Sequence, residues 1–214
     1  MELRKIVERG VGASEGCRSR LFAAGAVPTE WNAKDKWNFL TLSEEFMRVS
    51  YHGAGKTDID AAAVRANRSV PTSGCAVYYY EIEVINAGQN GYIGVGFCGG
   101  SVNLNRLPGW ERNSFGYHGD DGYAFRESGT GVSYGPPYST GDVVGCCWNM
   151  IEGSIFFTKN GTAFGTAFSN VRGPLYPTVG LRTPGEIVEA NFGADEQTRP
   201  FRFDIETYVR DVRD

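Results

Sequence analysis

Two histidines, five cysteines and a few paired carboxylates are all that this sequence offers for covalent or acid–base chemistry. His118-Gly-Asp120-Asp121 has the residue types of a metal or proton-transfer cluster. A histidine and acids at a glycine turn, however, more often cap backbone groups. Gly94-Val-Gly96-Phe-Cys-Gly99 matches Gly-x-Gly-x-x-Gly after a strand. The run behind it, through Asn103, Leu104 and Pro108, opens no helix whose N-terminus could meet a pyrophosphate. Glu81 and Glu83 share one face of a strand, and a solvated sheet face accounts for them better than paired acid–base work. There is no Gly-x4-Gly-Lys-Ser/Thr loop and no Gly-x-Ser-x-Gly elbow. Cys17, Cys75, Cys98, Cys146 and Cys147 form neither a Cys-x2-Cys pattern nor a disulfide framework. They are expected as buried thiols of a cytoplasmic or nuclear protein. The expectation is therefore no catalytic residue, no metal and no cofactor.

What those side chains sit on is a β scaffold. With 41% hydrophobic and 13% aromatic residues, the 214-residue chain has the make-up of a packed globular protein. A net charge of -4 gives no electrostatic reason to expect nucleic acid. No apolar run approaches the ~20 residues that span a bilayer, so no membrane partner is expected. Residues 1–28 are expected as an extension, with a short charged helix over Glu2–Glu8 and a Gly/Ala/Ser-rich connector. A domain follows over 29–206, then a helical tail over 207–214. Trp31 and Trp37 flank a charged turn and are expected to anchor the start of the domain to its core. Phe46–Tyr51, Val64–Val70, Ala76–Ile85, Val143–Ile151, Ser154–Thr158, Ala163–Phe168, Leu175–Leu181 and Glu186–Phe192 are the main strand candidates, and Asp58–Ala63 a helical turn. In Ala76–Ile85, alternation puts Tyr78, Tyr80, Ile82 and Val84 on the core face and Val77, Tyr79, Glu81 and Glu83 on the other. Tyr92–Phe97 is expected to pair with this strand across the Gln89-Asn-Gly91 turn. Glu152-Gly153 is a two-residue hairpin candidate, and Asn160-Gly161 calls for a type I′ turn. Ser114–Asp121 is expected as a buried strand and turn, with Phe115 and Tyr117 on one face. About a dozen short strands without a fixed repeat predict a sandwich or barrel.

Several collinear motifs resemble one family. Val64-Arg-Ala, Tyr79-Tyr-Glu-Ile-Glu-Val84, Gly91-Tyr-Ile-Gly-Val-Gly96, Thr158-Lys-Asn-Gly161 and Leu175-Tyr-Pro-Thr-Val-Gly180 look like a SPRY domain. Leu107-Pro-Gly-Trp110, Gly116-Tyr-His-Gly-Asp-Asp121, Thr140-Gly-Asp-Val143 and Thr183-Pro-Gly-Glu-Ile187 narrow the likeness to the SPRY domains of the Ran-binding protein M family. The resemblance runs from about Trp31 to Ile205. It implies an all-β fold, a bent β-sandwich of two antiparallel sheets, with no catalysis and a protein-binding surface made by loops at one end. Those loops fall at Tyr51–Thr57, Arg106–Trp110 and Leu181–Pro184. The implied site residues are Tyr51, His52, Lys56, Arg106, Leu107, Trp110, Arg182, Thr183 and Pro184. Arg106–Trp110 is expected as a stiff recognition tip. Lys56, Arg106, Trp110 and Arg182 would suit a short extended acidic or Asn-rich peptide. Arg182-Thr-Pro184 stands where the peptide-binding subfamily has Val-Trp-Gly, a departure that bears on which peptide fits. Members of the family carry LisH, CTLH and CRA segments and serve as scaffolds of the CTLH/GID ubiquitin ligase. Other subunits of such a complex are therefore implied partners. A structural docking role without a peptide groove is the alternative.

Overall fold

The computed structural model describes residues 27–195 and 197–213; the expected Glu2–Glu8 helix and Cys17 lie outside the described residues. The first strands are β1 (Trp31–Lys36), β2 (Leu40–Ser43), β3 (Arg48–Tyr51), β4 (Ala62–Ala66), β5 (Val77–Ala87), β6 (Gly94–Cys98) and β7 (Ser114–His118). There follow β8 (Tyr123–Arg126), β9 (Val132–Ser133), β10 (Val143–Asn149), β11 (Ser154–Lys159), β12 (Thr162–Phe168), β13 (Tyr176–Leu181) and β14 (Glu186–Asn191). A 3-10 turn spans Asp58–Asp60, and helix α1 spans Ile205–Arg213. Every strand pair is antiparallel, in two seven-stranded sheets: β1-β4-β13-β6-β7-β8-β9 and β12-β11-β10-β5-β14-β3-β2.

The core lies between the sheets, filled from β5 as alternation requires. Tyr78, Tyr80, Ile82 and Val84 all point into it. Tyr80 stands between Phe97 and Phe192, at ring separations of 5.6 and 5.8 Å, and is hydrogen-bonded to the Gly96 carbonyl. Trp31 is buried and donates its indole N–H to the Met47 carbonyl, while Trp37 packs at the core margin. Trp31–Lys36 is a strand rather than the expected turn. Cys146 and Cys147 face opposite sides of β10, one in the main core and one in a second cluster. The Asn160-Gly161 turn joins β11 to β12 with φ of +52° and +85°, the left-handed pair a type I′ turn needs.

Three further local expectations are corrected. Strand β6 does not pair with β5; the chain crosses to the other sheet, where β6 lies between β13 and β7. The β10–β11 hairpin pairs Asn149 with Ser154, so its loop is longer than Glu152-Gly153 alone. The β5 face carrying Val77, Tyr79 and Glu81 is not solvated. Val77, Tyr79, Cys147 and Phe156 are roofed by Phe201, Phe203, Ile205, Tyr208 and Val209. Glu81 is only 3% exposed and accepts hydrogen bonds from the Arg202 N–H (2.8 Å), the Phe203 N–H (3.1 Å) and the Tyr79 hydroxyl (2.8 Å). Burial raises the Glu81 pKa, and these donors oppose the rise. The carboxylate is thus a fastener for the C-terminal strap. Alternation assigns a face but does not say what covers it.

Candidate functional site

The outer face of the first sheet is a floor of small residues. Gly94 and Gly96 on β6, Gly116 on β7 and Gly180 on β13 alternate with the core residues Val95, Phe97, Phe115, Tyr117 and Val179. The Leu107–Gly109 segment lies down on this floor. A Cβ on Gly116 would come 2.1 Å from the Pro108 carbonyl oxygen; one on Gly180 would come 2.7 Å from the Pro108 ring and 2.9 Å from Leu107. Leu107 is 2% exposed, and the Gly109 N–H is bound by the Ser114 hydroxyl at 2.7 Å. The segment expected as a stiff recognition tip is flat and anchored, with Trp110 half-buried at its end. His118 holds it from below. Its Nε2 donates to the Pro108 carbonyl at 2.8 Å, and its ring stacks on Phe125 at 4.0 Å and approaches Trp110 at 6.0 Å. Burial pushes the His118 pKa down to about 4, so this neutral imidazole acts as a structural donor. Asp121 instead accepts from the Tyr123 N–H. Among the described residues no group of three His, Cys, Asp or Glu side chains is arranged to hold a metal ion.

A rim forms where two other segments meet this floor. Tyr51 ends β3 buried, its hydroxyl donating to the Asp60 carbonyl at 2.7 Å. Asp60 accepts the backbone N–H groups of Thr57 and Lys56, which folds the loop and lowers the carboxyl's pKa. Gly55, at φ +67°, lies against the third loop; a Cβ there would be 2.5 Å from the Pro184 ring. Asn105 ties the floor segment to the rim by donating to the Ile59 and Ala61 carbonyls at 2.6 and 3.0 Å. Arg182 closes the arrangement. Its guanidinium lies 3.7 Å over the Tyr92 ring and pairs with Asp58 at 2.5 Å.

The three loops implied by the resemblance thus do converge, although the side chains are not equivalent. His52 and Lys56 are exposed; Arg106, Trp110, Arg182 and Pro184 are partly exposed; Tyr51, Leu107 and Thr183 are buried supports. Arg106 is paired with Glu111 at 3.0 Å, so neither arginine projects as a bare cation. Sequence reasoning missed Tyr92, Asp58 and Ile59, the last 67% exposed on the rim. An isoleucine between two aspartates was a usable signal for Ile59. Nothing in the spacing links Tyr92 to Arg182.

A family model described as SPRY domain matches residues 77–195. The chain is 52% identical over 187 residues to Ran-binding protein 9 of Danio rerio, covering 87% of this chain and 30% of that protein. It is 40% identical over 188 residues to the Ran-binding protein M homolog of Arabidopsis thaliana, covering 87% of this chain and 39% of the relative. The chain therefore spans about a third of the length of the curated relatives it matches. The crystal structure of a human SPRY domain superposes with a TM-score of 0.63 at 27% identity, covering 74% of this chain and 98% of that one.

Proposed function

This chain belongs to the SPRY domain family, and from that premise we propose that it binds a short extended segment of a partner protein across the rim of Tyr51–Asp60, Tyr92, Arg106–Trp110 and Arg182–Pro184. SPRY domains are protein-interaction modules, generally non-catalytic. One observation carries the finer reading: segments distant in sequence meet around a stacked Arg182–Tyr92 pair that is tied to Asp58, the neighbour of exposed Ile59. Aromatic and arginine side chains held rigid by their neighbours bind at low entropic cost. Trp110, Ile59 and Pro184 supply apolar contact, and Lys56 supplies a donor. Because Arg106 and Arg182 already have acidic partners, an Asn-rich segment suits the rim better than a strongly acidic one. We assign the domain to a scaffold of the CTLH/GID ubiquitin ligase type, cytoplasmic or nuclear, with other subunits as further partners.

Docking through broad sheet faces is the competing reading. Two observations disfavour it: the Leu107–Gly109 segment lies on the outer face of one sheet, and the C-terminal strap lies on that of the other. An array of overlapping peptides from candidate subunits tests the choice. Arg182→Ala and Trp110→Ala should each weaken captured peptides at least tenfold while circular dichroism and thermal midpoint report an intact fold. Undiminished capture by both folded variants means the rim is not the site.

A further inference from the structure

Beneath the rim lies a carboxylate that contact with a peptide would not use. Glu186 opens β14 with no exposed surface. Its Oε2 accepts the Arg182 N–H at 2.6 Å and the Thr183 N–H at 2.8 Å, and its Oε1 accepts the Thr183 hydroxyl at 2.6 Å. Its own N–H returns to the Thr183 carbonyl at 3.3 Å. The loop that carries Arg182, Thr183 and Pro184 is thereby closed on one side chain. The space around it is tight. A Cβ on Gly88 would lie 2.8 Å from Glu186 Cγ and 2.7 Å from the Pro184 carbonyl oxygen. Water can reach this carboxyl only if the loop moves.

Among the described residues no cation is paired with this buried carboxyl, whose partners are N–H and O–H groups. The Arg182 guanidinium is engaged by Asp58 and Tyr92. The other ionisable groups of the adjoining loops are Tyr51 from β3, Lys56, Asp58 and Asp60 around the 3-10 turn, and Tyr92 from the approach to β6; the one base among them, Lys56, is exposed and acts on Asp60. Burial accordingly raises the Glu186 pKa to about 7, against hydrogen bonds from Thr183, Arg182 and Tyr92 that favour the ionised form.

We propose that Glu186 is the positioning residue of the Arg182–Pro184 rim, and that loss of its proton loosens this loop, so that partner binding weakens as pH rises. The link to binding rests on the rim being the partner site; the role of Glu186 in the loop does not. In the protonated state the Thr183–Glu186 hydrogen bond reverses. The carboxyl O–H donates to Thr183 Oγ1, and the other oxygen keeps the N–H groups of Arg182 and Thr183. When the proton leaves, the closed loop holds a buried charge with hydrogen-bond donors but no cation, and opening gives that charge water. An opened loop returns the carboxyl to its ordinary value of 4.5, below the closed value. A pKa raised in the closed state means the closed loop is fully favoured below about 4.5. That preference is lost as pH rises to about 7 and levels off beyond it. Within that window, one linked proton raises the opening constant about tenfold per pH unit.

Amide NMR of the whole 214-residue chain between pH 5 and 8 tests this directly. The Arg182 and Thr183 amides should share one inflection well above the ordinary carboxylate range. Exchange of the 182–183 amides, corrected for intrinsic rates, should be faster at pH 8 than at pH 5.5. Glu186→Gln should abolish both effects; the wild-type titration decides the matter even if that variant misfolds. Flat amide shifts in the wild type, or an inflection that persists in Glu186→Gln, overturn the inference. A normal inflection combined with equal affinity of an array-selected peptide at pH 6 and pH 8 overturns the rim reading and leaves the positioning role standing.

Discussion

Single atoms decide whether the floor under the site can exist. Gly116 faces the Pro108 carbonyl, and a methyl group there would meet backbone that cannot move aside cheaply. Gly116→Ala should therefore destabilise the domain by about 1–3 kcal/mol in a denaturant titration. Gly129, with nothing within 4 Å of a Cβ and no left-handed φ, is the control; Gly129→Ala should change stability by no more than about 0.5 kcal/mol. The glycine run 94–99 was visible in the sequence, and it is followed by strand β7 rather than a helix. Its purpose was not visible, because the segment that lies on Gly94 arrives from Pro108 in a separate loop. The same limit hid the Tyr92–Arg182 stack, whose partners are brought together only when β6 and β13 pair.

At the scale of elements, what the sequence states well is periodicity and turn chemistry. The core face of β5 and the Asn160-Gly161 turn follow from local pattern, as does a C-terminal helix, although α1 starts at Ile205, two residues before the expected tail. What it states poorly is which strand joins which sheet, since β6 crosses away from β5 instead of completing a hairpin. It also leaves open what roofs an outer face. The strap from Arg199 onward answers that, with Phe201 and Phe203 set 5.0 and 5.5 Å from Tyr79 and Tyr208 set 4.9 Å from Phe156. Phe203→Ala should lower stability by about 1–3 kcal/mol, since a partly buried ring recovers less than a fully buried one. Cutting the chain after residue 198 should lower the unfolding midpoint further, because Glu81 would then lose the two backbone donors of Arg202 and Phe203 as well. An unchanged midpoint for the shortened chain would show that the strap is ornamental to the fold.

For the whole molecule, the two sheets direct their inner faces at one another, and three loops meet at one end. Both outer faces carry segments of the same chain, Leu107–Gly109 on one side and the aromatic strap on the other. The loops that the motifs single out do meet at that end, but Arg106 and Arg182 are paired there with Glu111 and Asp58, since ion pairing is a property of assembled neighbours. The most direct test is an amide chemical-shift map of the labelled chain with and without an array-selected peptide. Binding at the rim predicts that the largest shifts cluster on residues 52–60, 92, 106–111 and 181–186, with Phe201, Phe203 and Tyr208 unmoved. Shifts concentrated on the strap or on the free edge strand β12, with a silent rim, would contradict it.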